Sequence, residues 1–157
     1  METENKSVIE HYTRNNLMER ILDALTDAGH DPDNLTIATL SELDHLHGGG
    51  LETTEVQTEL AEIPQGCPVL DAGCGIGGPS RYLADSYGCT VKAIDLTPEF
   101  VDVARQLIEK VGLGAKINVE VGSVTELPYA DQSFDVVLSQ NVSMNVADKT
   151  AMFSEAF

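Results

Sequence analysis

The chain has 157 residues, 42% of them hydrophobic, with few aromatics and no Trp, a composition that suits one globular domain. With 26 acidic against 9 basic side chains its net charge is -17, which argues against a nucleic-acid or anionic-membrane partner, because either needs a basic face. The start of the chain resembles no signal peptide and no apolar run approaches the roughly 20 residues of a spanning helix, so a cytoplasmic protein is expected.

Residues 1–65 read as a helical annex. Leu17, Ile21, Leu25 and Ala28 fall at helical spacing and predict an amphipathic helix over 14–28 that stops at Gly29. Pro32 and Asn34 break the chain, an apolar stretch runs through Leu40, Leu43 and Leu46, and the hinge Gly48-Gly49-Gly50 precedes a helix over 51–61. Residues 66–157 alternate strand and helix, which predicts an α/β, Rossmann-like doubly wound parallel sheet. Strand one is expected over 69–72, then a helix over 79–87 with Gly88 as its left-handed stop. Strand two over 90–94 leads to a helix capped by Thr97 and opened by Pro98, with Val101, Ala104, Ile108 and Val111 on one face. Strand three follows over 116–121. Strand four, over 134–139, is apolar enough to be covered on both faces, and 143–157 reads as the next helix. Right-handed crossovers set these four strands side by side with strand four at an edge. A fifth strand does not follow, so the expectation is a truncated core whose edge through Val136, Val137 and Leu138 is free to pair with a second copy.

The most specific segment is VLDAGCGIGG at 69–78. Without Cβ atoms at Gly73, Gly75 and Gly77 the backbone can turn sharply off a strand and let a ligand lie against its amides where the next helix begins. Gly73, Gly75 and Gly78 also satisfy the dinucleotide pattern G-x-G-x-x-G, with the acid Asp95 at 22 positions after Gly73 (95 minus 73). Two features favour S-adenosylmethionine over a dinucleotide. Asp71 lies two places before the first glycine, and no Lys or Arg falls between residues 69 and 80. A carboxylate there repels a pyrophosphate and suits a ligand with ammonium and sulfonium centres. Asp95 ends the next apolar run, where an acid can accept hydrogen bonds from both ribose hydroxyls. Cys67, Cys74 and Cys89 lack the paired spacing of a zinc site, so reduced thiols and no metal are expected, with Cys74 a small residue beside the ligand.

These segments, with IDLTPEF at 94–100, GSVTELPY at 122–129 and SFDVVLSQNVSMNVADK at 133–149, resemble the class I S-adenosylmethionine-dependent methyltransferases. Within them the chain is similar to the small-molecule group of sarcosine/dimethylglycine N-methyltransferase-like proteins and quinone C-methyltransferases. The resemblance implies that Asp71, Gly73, Cys74 and Gly75 face the methionine part of the cofactor, that Asp95 holds the ribose and that Leu96 packs on the adenine. It places Ser123 and Val124 at the adenine edge, Gln140 beside the methionine moiety, and Tyr12 as an aromatic closing over the cofactor, with the annex as a lid. Relatives often carry Asp where Ser123 stands, and some an acid or His at Asn141.

Methyl transfer from a sulfonium is an in-line displacement in which the protein mainly positions the partners, so an amine acceptor needs no strong base. The candidates for acid-base or orienting work are His11, His45 and His47 of the annex and Asn141 and Asn145 after strand four. The expected function is methyl transfer to a small molecule, an amine such as sarcosine or dimethylglycine. A quinone or lipid C- or O-methyltransferase, an NAD-binding oxidoreductase, and a cofactor-binding module without activity stay open as alternatives.

Overall fold

The computed structural model describes residues 6, 9–13, 15–44 and 50–157. Four parallel strands form one sheet in the order β3-β2-β1-β4: β1 Pro68–Ala72, β2 Thr90–Asp95, β3 Ile117–Val121 and β4 Val136–Leu138. Helix α4, Gly78–Ser86, joins β1 to β2, and α5, Pro98–Lys110, joins β2 to β3. Among the described residues before the sheet are the helices α1 Leu17–Asp27, α2 Ile37–Asp44 and α3 Gly50–Leu60. Helix α6, Lys149–Ala156, ends the chain.

Alternation along the strands divides the core. Val69, Val91, Ala93, Ile117 and Val119 face α4 and α5, where they pack with Leu83, Ala84, Val101, Ala104 and Ile108. Leu70, Ala72 and Ile94 point to the other face and are covered by Val124, Leu127, Tyr129 and Phe134. A third cluster ties the helices before the sheet to it, as Ile21 and Leu25 of α1 and Leu40 of α2 meet Val103 and Leu107 of α5 and Ile76 of the glycine loop. At roughly 1.5–3 kcal/mol for each fully buried aliphatic side chain, this cluster anchors both α1 and the loop.

Several boundaries differ from the sequence expectation. Helix α1 begins at Leu17, not at residue 14, because Asn15 and Asn16 take positive φ of 36° and 65°. Its first amide is met from afar: Leu17 N donates to Glu99 Oε1 at 3.2 Å. Thr97 precedes α5 as expected, but its hydroxyl does not cap it. Its own amide instead donates to Asp95 Oδ1 at 2.8 Å. Strand β4 is only three residues long and is not covered on both faces, since Val137 is 36% exposed. No single helix runs over 143–157: a 3-10 turn at Ser143–Asn145 comes first, and α6 starts only after Asp148, whose carboxylate accepts from Ala151 N at 2.9 Å. Among the described residues no helix is long and apolar enough to cross a membrane. The three cysteines are free and buried, and no cluster of His, Cys, Asp and Glu suited to a metal occurs among the described residues.

Candidate active site

The glycine loop is held from both sides. Parallel pairing sets Asp71 between Ala93 of β2 and Leu138 of β4, so the loop that follows leaves from the middle of the sheet. The amides of Gly73 and Cys74 both donate to the Ile94 carbonyl, at 2.8 and 3.0 Å, which ties the loop to the end of β2. Gly73 has φ +90°, and a Cβ there would collide with both methyl groups of Val142. Only glycine fits. Gly78 is needed for a different reason: a Cβ would stand 2.9 Å from that of Asp44, where the end of α2 presses on the first turn of α4.

Carboxylates gather around this loop. Asp71 is buried and accepts from Ser80 Oγ at 2.6 Å. Burial pushes its pKa up to about 6, with Ser80 opposing and the charge of Asp95 adding to the rise. Asp95 accepts from Gly75 N at 2.9 Å and from Thr97 N at 2.8 Å, and burial raises its pKa against these bonds. The Thr97 hydroxyl and the Leu96 amide also act on this carboxylate and favour its charged form. Burial, together with Asp71 and Asp95, pushes the Cys74 thiol well above its ordinary value, so it stays protonated and is no nucleophile.

A cavity of about 440 Å³ opens at the carboxyl ends of β1, β2 and β4, the end where an open parallel sheet takes its ligands. Tyr12, Asp71, Gly73, Cys74, Gly75, Asp95, Leu96, Ser123, Val124, Gln140, Asn141 and Asn145 all line it. Gly77 does not; it takes a left-handed conformation before α4, and its α-carbon faces Arg81 and Ala104. His11 is exposed and stacks edge-on against Tyr12, with ring centroids 4.9 Å apart, outside the lining. His45 and His47 lie outside the described residues. The Ser123 hydroxyl bonds to Thr125 Oγ1 at 2.8 Å and accepts from Thr125 N at 3.2 Å, which braces the turn after β3.

Other contributors were not singled out in the sequence. Phe100, in the first turn of α5, meets Tyr12 edge-to-face at 5.8 Å, while Tyr12 Oη accepts from Asn145 Nδ2 at 3.0 Å. One aromatic thus bridges α5 and the segment after β4. Phe100 sits within IDLTPEF, so a signal was present. Asp44 lines the cavity and forms a buried ion pair with Nη2 of Arg81, whose Nη1 donates to the Ile76 carbonyl at 2.8 Å. Burial raises the pKa of Asp44 and Arg81 opposes the rise. An arginine inside a helix next to Tyr82 and Leu83 carries no sequence mark of burial. The donor set fits a cationic nucleoside better than a diphosphate: Asp44, Asp71, Asp95 and Asp148 line the cavity, with no Lys, Arg or His among its described lining residues.

Residues 70–157 match the family described as a methyltransferase domain. The chain belongs to the class I S-adenosylmethionine-dependent methyltransferases. The chain is 37% identical over 105 residues to phosphoethanolamine N-methyltransferase 3 of Arabidopsis thaliana, an overlap of 67% of the chain and 21% of that protein. Its fold matches phosphoethanolamine N-methyltransferase 2 of Haemonchus contortus, solved in complex with S-adenosyl-L-methionine, at 26% identity and a TM-score of 0.67, over 72% of this chain and 26% of that one. A candidate sarcosine dimethylglycine methyltransferase of Galdieria sulphuraria matches at 25% identity and a TM-score of 0.65, over 85% and 53% of the two chains. The chain spans about a fifth of the length of the plant phosphoethanolamine N-methyltransferases it matches.

Proposed function

We propose that the cavity binds S-adenosylmethionine and that the protein to which this chain belongs transfers its methyl group to a small-molecule amine. The observation that carries the reading is the pair of carboxylates, Asp71 and Asp95, on either side of a glycine loop that Val142 and the Ile94 carbonyl hold in place. Asp95 would take the ribose hydroxyls. Leu96 and Val124 would flank the base. Gly73, Cys74, Gly75 and Gln140 would surround the amino-acid part, and Tyr12 with Phe100 would close the mouth, the annex 1–65 serving as cover to the core 66–157.

The bound sulfonium supplies an electrophilic methyl group with its own leaving group. The chain's residues bind, orient and exclude water, and holding two reactants in near-attack geometry contributes several kcal/mol. Asn141 and Asn145 can orient an acceptor by hydrogen bonds but take no proton. The acidic lining attracts a cationic or zwitterionic amine such as sarcosine or dimethylglycine. A second reading, a phosphate-bearing amine, rests on the names of the plant relatives.

Titration calorimetry with S-adenosylmethionine, S-adenosylhomocysteine and NAD tests the cofactor: binding of the first two and none of the third is expected, and the reverse overturns the reading. An Asp95→Ala variant that bound normally would remove the ribose assignment. Release of S-adenosylhomocysteine with sarcosine, dimethylglycine, phosphoethanolamine and a quinol in turn tests the acceptor.

A further inference from the structure

Helix α3 buries the wrong side chains for a helix held by apolar packing. Its two fully buried residues are Thr54 and Thr58, whereas Val56 is 48% and Leu60 80% exposed. What docks α3 is therefore polar. The Tyr87 hydroxyl bonds to Thr58 Oγ1 at 3.3 Å, and Thr54 Oγ1 donates to Gln140 Oε1 at 3.2 Å. On the next turn Gln57 Oε1 accepts from Gln140 Nε2. Both ends of one carboxamide are thus engaged by a single helix. Of the three residues Gln140 alone lines the cavity.

We propose that Thr54 and Gln57 are positioning residues: they hold the Gln140 carboxamide in one orientation and thereby set cofactor affinity without touching the cofactor. The inference rests on the cofactor reading above. The Thr54 hydroxyl and the Gln57 carbonyl act on opposite ends of the amide, so turning Gln140 over brings oxygen against oxygen at Gln57 unless Gln57 turns as well. A carboxamide has two acceptor and two donor positions, and the two bonds to α3 use one of each. One lone pair and one N–H are left, which suits the ammonium and carboxylate of an amino-acid ligand.

The test compares Thr54→Val, which keeps the shape and removes the donor, with Thr54→Ser, which restores it, and with Gln57→Leu on the exposed side of α3. Each is made alone and together with Gln140→Ala. The readouts are the dissociation constant for S-adenosylhomocysteine, the thermal midpoint without ligand, and the side-chain amide resonances of Gln140. Thr54→Val is expected to weaken binding about fivefold, the fold-change of one neutral hydrogen bond. Thr54→Ser should bring affinity back to within about twofold, and neither Thr54→Val nor Gln57→Leu should change affinity further in the Gln140→Ala background. Should Thr54→Val lower the ligand-free midpoint, Gln57→Leu carries the same prediction from a position where substitution costs little stability. Gln140→Ala weakening binding while Thr54→Val and Gln57→Leu leave it unchanged overturns the positioning role alone. A Thr54→Val loss that persists undiminished with Gln140→Ala also overturns it. No binding of S-adenosylhomocysteine to the unaltered chain overturns the cofactor reading itself.

Discussion

The two flanks of the cavity are built differently. On the β1–β2 flank backbone does the holding: the Gly73 and Cys74 amides meet the Ile94 carbonyl, Gly75 N meets Asp95, and Val69, Leu70, Ala93 and Ile94 are essentially inaccessible. On the β4 flank side chains do it. Gln140 leans on α3, Asn145 on Tyr12, and Ser139 Oγ donates to the Ala72 carbonyl at 2.8 Å, beside an apolar surface where Val137, Phe153 and Phe157 are exposed. A backbone-braced flank tolerates change at its side chains so long as φ, close approach and the buried Asp44–Arg81 pair are kept. A flank made from side-chain bonds is adjustable, and there single substitutions alter binding without unfolding the chain.

The contrast breaks most visibly if the first flank is weakened at its buried ion pair. Arg81→Met strands the buried Asp44 carboxylate and should cost about 3–5 kcal/mol in urea denaturation, most of it recovered when Asp44→Leu is added. An unchanged midpoint would mean that the pair does not brace the loop. Next, Gly73→Ala forces an L side chain to positive φ and into Val142, and a loss of about 2–3 kcal/mol with a matching fall in thermal midpoint is expected.

Asp71 gives a smaller and pH-dependent effect. Its folded pKa, about 6, stands above the ordinary 3.8. The folded state therefore binds its proton more tightly than the unfolded chain, so this contribution to stability is full below about pH 4 and is lost as pH rises through about 6. Asp71→Asn should reduce the fall in stability between pH 4.5 and 7.5 in denaturation, leaving the share of Asp44 and Asp95, whose pKa values burial also raises. The same substitution should abolish the drop in affinity for S-adenosylmethionine that calorimetry is expected to find below about pH 6, where protonation takes away the negative charge. On the second flank Val137→Lys lies at an exposed strand edge and should change stability by less than about 0.5 kcal/mol. If that edge pairs copies of the chain, sedimentation velocity will show the substitution lowering association.

The sheet was legible because its signals are local. Short apolar runs in 69–72 and 90–94, the alternation in 116–121 and the glycines between β1 and α4 constrain neighbouring φ and ψ directly, and the strands lie within a residue of where these signals put them. Strand β4 is shorter than the apolar run over 134–139 because such a run reports burial, not length, and only pairing with Val69, Leu70 and Asp71 limits it to three residues. The helix expected over 143–157 starts late for a like reason: Asp148 offers its carboxylate to Ala151 N, and this cap, not the apolar pattern, starts α6.

By itself, then, the sequence determined the order of strands and helices, the position of the glycine loop, and the two acids Asp71 and Asp95 beside it, since each depends on residues a few positions apart. The tertiary structure alone decided that Thr54 meets Gln140 across 86 positions, that Tyr12 meets Asn145 across 133, and that Arg81 is buried against Asp44. The physical reason is that such hydrogen bonds and ion pairs form only once the hydrophobic layers have brought distant elements together, and one or two polar side chains leave no periodic trace in the chain that carries them.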